Sequence, residues 1–131
     1  MKLVQPTGWP RPAGYANAVT ASGRMVSVSG QIGWNPVTET FETDEMAAQV
    51  RQALDNLVVV LHAAGAEPRH VVRLTWYVTD REAYVASRRE IGDAYRALFA
   101  THYPAMSVVI VAGLLHPRAT VEIEATAVVP E

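Results

Sequence analysis

Apolar residues recur every third or fourth position between Met46 and Leu61. Met46, Val50, Leu54, Leu57, Val58 and Leu61 fall on one stripe, which predicts an amphipathic helix over about 44–64. Thr43 is its expected N-cap, and Asp44 and Glu45 suit the positive end of its dipole. Gly65 is the expected stop, and Pro68 blocks continuation. A second helix is expected after Asp80, another good N-cap. Tyr84, Ile91, Tyr95, Leu98 and Phe99 share one of its faces, and it ends before Tyr103-Pro104. Other stretches alternate with period two. From Thr120 to Val129, Val121, Ile123, Ala125 and Ala127 face one way, and Glu122, Glu124 and Thr126 the other. Arg24 to Gly30 alternates as well, with Val26 and Val28 on its apolar side. Ser22-Gly23 is a turn signal that would join it in a hairpin to a weak strand at 16–21. Val71 to Thr79 has high β propensity, with Thr75, Trp76, Tyr77 and Val78 in a row. Ser107 to Leu114 reads as a continuously apolar strand. Residues 1–14 hold Pro6, Gly8, Pro10, Pro12 and Gly14 and read as an ordered arm or loop. Gly33, Asn35 and Pro36 open a loop that runs to about Thr43.

The element order is therefore ββαβαββ, an α+β sandwich with two helices packed on one face of a mixed sheet. A chain of 131 residues holds one such core, so residues 1–131 form a single domain with 1–14 as its arm. Two helices cover only one sheet face, yet Val108-Val109-Ile110-Val111 is apolar on both. A second copy of the chain is the economical cover.

Composition narrows the function. Eleven basic and thirteen acidic side chains give a formal net charge of −2 and a pI near 6.1. The densest basic cluster is Arg88-Arg89, which argues against nucleic acid or an anionic membrane as partner. With no cysteine, disulfides, thiolate nucleophiles and zinc–thiolate sites are excluded. His62, His70, His102 and His116 show no metal-ligand spacing, and His62 and His102 lie where solvated helix-end histidines sit. Gly30-Gln31-Ile32-Gly33 opens no helix and is not a nucleotide fingerprint. The apolar run Val108–Leu115 is too short to span a bilayer, and the first residues form no signal-peptide core. A soluble cytoplasmic protein without metal or cofactor is expected.

The informative acids are Glu122 and Glu124. They could simply form a solvated strand face. Alternatively, if oligomerisation covers that face, a partly desolvated carboxylate there could move protons through a water.

Four blocks bear on this choice: Ser27-Val28-Ser29-Gly30-Gln31-Ile32, Val78-Thr79-Asp80, Tyr103-Pro104-Ala105-Met106-Ser107 and Val121-Glu122-Ile123-Glu124-Ala125. In order and spacing the chain from Tyr15 to Val129 resembles the YjgF/RidA family. The resemblance implies a chorismate-mutase-like fold and a homotrimer with ligand sites in the clefts between subunits. It also implies hydrolysis of small enamines and imines, such as 2-aminoacrylate, without metal or cofactor. Tyr15 then matches a cleft tyrosine and Glu122 the glutamate that positions water; Gly30 and Ser107 match wall residues. At the family's carboxylate-binding arginine stands Met106, and a thioether cannot replace a guanidinium. The segment from Asp80 to Tyr95 is longer by about one helical turn and puts Gly92 where those relatives carry a polar residue. Arg73, Arg118, His116 and Arg11 are candidate substitutes for the arginine, each otherwise a surface group. Trp34 could roof the cleft with Trp9 and Tyr15, or pack on its own subunit.

Two functions follow. The chain is an enamine or imine deaminase acting on a metabolic intermediate other than 2-aminoacrylate, with Glu122 catalytic and Tyr15, Gly30, Trp34, Met106 and Ser107 binding substrate. Or it is a non-catalytic homotrimer that binds a small ligand or regulates. Ribonuclease activity fits poorly with the acidic pI and the absence of a basic stripe.

Overall fold

Period two and period 3.6 resolve into a four-stranded sheet with the helices packed on one of its faces. The computed structural model describes residues 1–131. In chain order it contains β1 (Lys2–Val4), β2 (Ala18–Thr20), β3 (Arg24–Ile32), α1 (Met46–Ala63) and a 3-10 turn at Pro68–His70. β4 (Val71–Val78), α2 (Arg81–Ala86), α3 (Arg88–Phe99), β5 (Ala105–Ile110) and β6 (Val121–Val129) follow. The sheet order is β3-β6-β4-β5. β6 runs antiparallel to both neighbours, and β4 and β5 form the one parallel pair. A parallel pair needs a crossover, which α2 and α3 supply.

The α1 stripe is buried in full: Met46, Val50, Leu54, Leu57, Val58 and Leu61 face the sheet. All but Val58 share one core with Val26 and Val28 of β3, Leu74, Trp76 and Val78 of β4, and the four alternate residues Val121, Ile123, Ala125 and Ala127 of β6. Asp80 caps α2 as expected, its carboxylate accepting from the Ala83 N–H at 3.0 Å. Gly65 sits beyond α1 at φ +75°, a left-handed turn that suits glycine.

Several expectations are corrected. β2 does not form a hairpin with β3. It pairs with β1, inside the segment read as an arm, through Lys2↔Thr20 and Val4↔Ala18. β3 instead lies along β6, starting at Arg24↔Val129. Gly23, at φ +145°, makes that switch possible, because a side chain there would fall 2.2 Å from the Val129 carbonyl oxygen. α1 begins at Met46, two residues late, and Thr43 accepts from the Glu45 N–H in the turn before it. The second helix is two helices, broken at Ser87 (φ −100°, ψ 7°). Serine is a poor interior helix residue. β5 starts at Ala105 and ends at Ile110, earlier than the apolar run suggests.

Register assigns every strand residue to a face. Met106, Val108 and Ile110 stand beside Leu74, Trp76 and Val78, on the helix side. Ser107 and Val109 share the uncovered side with Thr75, Tyr77, Glu122 and Glu124. That uncovered side is largely polar, so the need for a cover is narrower than the sequence suggests. It concentrates on β5, an edge strand whose outer side meets only the bridge Ala16↔Ala105. Val108, Val109 and Ile110 are 39, 42 and 47% exposed, an apolar edge of the kind proteins normally cover. No helix is long and apolar enough to cross a membrane.

Candidate functional site

Glu122 is positioned by an irregularity in β3. The β3–β6 register slips between Val28 and Gln31, a bulge of the kind that re-aims side chains. Gly30 lies within it. A methyl group on Gly30 would fall 2.4 Å from Glu122 Oε2 and 2.6 Å from Cδ, so the carboxylate occupies the space that a side chain would fill. Glu124 is differently placed. Tyr77 donates to its Oε1 at 2.6 Å, and this bond, more than desolvation, holds the Tyr77 phenol above its usual pKa. Glu122 has no hydrogen-bond partner within the chain, so of the two acids it is the free proton acceptor.

Glu122 and Gly30 line a cavity of about 470 Å³ with Gln31, Ile32, Trp34 and His116. Trp34 packs within its own chain: its ring lies 6.0 Å from Phe41 and 5.7 Å from His116. It therefore walls this cavity from within the chain, and Trp9 and Tyr15 are not among its neighbours there. The loop carrying Trp34 is tied down from α1, where the buried Asn56 side chain donates to the carbonyls of Ile32 and Trp34. Gln49, fully buried, donates to the Thr43 and Arg118 carbonyls and accepts from the N–H and hydroxyl of Thr120. Together these amides fix the entry to β6 against α1.

Met106 stands elsewhere. It lines a second cavity, about 430 Å³, on the helix side of the sheet, with Trp76, Tyr84, Tyr95 and Tyr103. Arg88, Gly92 and Arg96 of α3 form its charged wall. Burial raises the pKa of Tyr84 and of Tyr95, so both stay protonated. Tyr15 lies nearby: Ala16 N–H donates to the Pro104 carbonyl at 3.0 Å, and Gly14 and Tyr103 are common to the Met106 cavity and the groove lined by Tyr15. Ser107 is exposed on the opposite face of β5.

The candidate residues thus fall into two groups. Gly30, Trp34 and Glu122 surround one cavity; Met106 and its neighbour Tyr15 border another. Within one chain Met106 and Glu122 are on opposite faces, and β4 separates their strands.

Of the candidate substitutes for arginine, none lines the Met106 cavity. Arg118 is bound to Asp44 at 2.8 Å and to the Phe41 carbonyl. His116 accepts from the Arg118 N–H within the Trp34 cluster. Arg73 lies on the uncovered face beside Glu124, and Arg11 in the Tyr15 groove. The cations that do line it, Arg88 and Arg96, escaped the sequence reading. Their signal was a spacing of four on either side of Gly92, which places all three on one helix face.

Residues 10–129 match the sequence family described as endoribonuclease L-PSP. The chain is 39% identical over 110 residues to a 2-iminobutanoate/2-iminopropanoate deaminase of Escherichia coli, covering 81% of this chain and 80% of that one. The human protein of the same name is 31% identical, over 87% of this chain and 79% of its own length. Among solved structures, the Rid-family protein YyfB of Yersinia pestis superposes with a TM-score of 0.84 at 32% identity, covering 98% of both chains.

Proposed function

This chain belongs to the YjgF/RidA family, and from that premise we propose that it hydrolyses a small imine or enamine to a carbonyl compound and ammonia. The observation that carries this reading is the unpaired Glu122 carboxylate held over Gly30, beside a Glu124 already engaged by Tyr77. Glu122 takes a proton from water as the oxygen attacks the imine carbon. Glu122 returns that proton to the carbinolamine nitrogen, and the C–N bond breaks to release ammonia as the hydroxyl proton passes to Glu122 and the carbonyl forms. An enamine is first protonated at carbon, giving the protonated (iminium) form of the same imine.

The active form is a homotrimer. A neighbouring copy that covers the β5 edge brings the Met106 cavity of one subunit against the Glu122 cavity of the next. This would unite residues that a single chain keeps apart. It agrees with the exposed Val108, Val109 and Ile110. Met106 makes 2-aminoacrylate a poor substrate and favours imines with a larger apolar group, since thioether and aromatic walls attract carbon.

An amino-acid oxidase supplying imines from a panel of amino acids tests this, with ammonia release followed against the uncatalysed rate. Imines with bulky apolar side chains should be cleared faster than 2-aminoacrylate. Acceleration of none of them overturns the reading. Gly30→Ala offers a finer check. Its methyl displaces the Glu122 carboxylate, and a displacement of that size costs about 10- to 100-fold in turnover. Thermal stability should fall only modestly, because the three atoms nearest the new methyl, Oε2, Cδ and Cγ, all belong to the Glu122 side chain. Unchanged turnover would show that the position of Glu122 does not matter.

A further inference from the structure

The cavity beside Met106 holds more charge than its apolar lining explains. Arg88, Gly92 and Arg96 lie at successive four-residue steps on α3 and all line it. Gly92 is costly where it stands, because glycine in a helix interior is less stable than alanine. Its use is visible. A methyl group there would lie 3.1 Å from Arg96 Nη1 and 3.3 Å from Nη2, so the guanidinium rests over the bare backbone. Asp93 accepts one hydrogen bond, from Nη2 at 2.7 Å, and Tyr103 also engages the guanidinium. Arg88 takes part in none of the three ion pairs, which are Arg69–Glu67, Arg96–Asp93 and Arg118–Asp44. Facing these cations are the rings of Tyr84, Tyr95 and Tyr103. Trp76, in the same wall, carries a buried indole N–H with no acceptor.

We propose that Arg88 and Arg96, with Gly92 as the notch between them, form a carboxylate-binding site that α3 supplies in place of an arginine at position 106. Its ligand is a carboxylate with an aromatic or bulky apolar body. The carboxylate meets the guanidinium groups, and the apolar body lies against Met106, Trp76 and the tyrosines. Such a ligand is the keto acid left when the matching imine loses ammonia. This identification of the ligand rests on the hydrolytic reading above; the arginine site itself does not.

Calorimetric titration of the assembled protein with phenylpyruvate tests the site, with phenylacetone as the same body lacking the carboxylate. Phenylpyruvate should bind at least tenfold more tightly than phenylacetone. Arg88→Met and Arg96→Met should each weaken it by about tenfold, the loss of one charge-assisted contact. Gly92→Ala separates binding from folding. It should raise the melting temperature and still weaken phenylpyruvate, because the methyl pushes the Arg96 guanidinium aside. Equal affinity for the two probes, or unchanged phenylpyruvate affinity in the folded Arg88→Met/Arg96→Met protein, overturns the site. The two readings fail separately. If Glu122→Gln keeps full turnover while the arginine variants lose phenylpyruvate, hydrolysis by Glu122 is wrong and the arginine site stands. If Glu122→Gln loses turnover while the arginine variants bind normally, the site is wrong and hydrolysis stands.

Discussion

Glu122→Gln should lower turnover on a responsive imine by about 10²- to 10⁴-fold, the usual worth of a positioned general acid–base group. The substitution keeps shape and volume. It removes no hydrogen bond within the chain, because Glu122 makes none, so folding and assembly should be unaffected. What disappears is the ability to take a proton from water. Glu124→Gln is the matched control. Its amide oxygen can still accept from the Tyr77 hydroxyl, now 2.6 Å from Glu124 Oε1, and turnover should stay within a few-fold of wild type. Initial rates of ammonia release for the two variants decide the matter. Comparable rates from both would mean that the last strand offers only a polar wall and that another group handles water.

On the trimeric reading proposed above, Val109→Asp should leave the protein monomeric. Val109 is 42% exposed on the edge strand of a single chain, where a carboxylate would remain hydrated and cost the fold little. Covered by a neighbour, the same carboxylate would be stripped of water, and its register partner in its own chain is Tyr77 and not a cation. An uncompensated buried charge costs about 3–5 kcal/mol, or roughly a 10²- to 10⁴-fold loss in association at each contact. Light scattering at micromolar concentration should show a trimer for the wild type and a monomer for the variant, and circular dichroism should show both folded. The variant should also lose turnover, since the two half-sites would no longer meet. A wild type that is monomeric, or a variant that stays trimeric, removes β5 from the interface.

Local pattern and long-range pairing were unequally legible in the chain. The α1 stripe and the β6 alternation were readable because each is set by one face of one element meeting the core. The Asp80 cap was readable because capping is chemistry within a few residues. Which strand β2 would join was not readable. Three residues carry little preference, and the outcome turned on Gly23 bringing β3 against Val129. The break at Ser87 was hidden because Tyr84, Ile91 and Tyr95 keep apparent helical spacing across it. At the site, Glu122 and Gly30 were legible through motif blocks, but their contact required the β3 bulge. Met106 was noticed for what it lacks. That it faces the helices, with Arg88 and Arg96, depends on the register Leu74↔Met106, which no local pattern encodes.

The strand order has a consequence for how the molecule is made. β6 lies between β3 and β4, yet it is the last of these elements to be synthesised. Until it emerges from the ribosome, β3 has no partner and β4 has only β5. Two apolar strand faces and the α1 stripe must therefore wait, with only part of their final cover, while the rest of the chain is made. A nascent chain in that state is open to wrong pairings and to capture by chaperones. Folding should therefore be a late event, with the closing step the insertion of one strand into the middle of a sheet whose two halves already exist. Truncation within β6 would leave those halves unjoined, whereas a change in β1 or β2 would disturb only a ribbon at the margin.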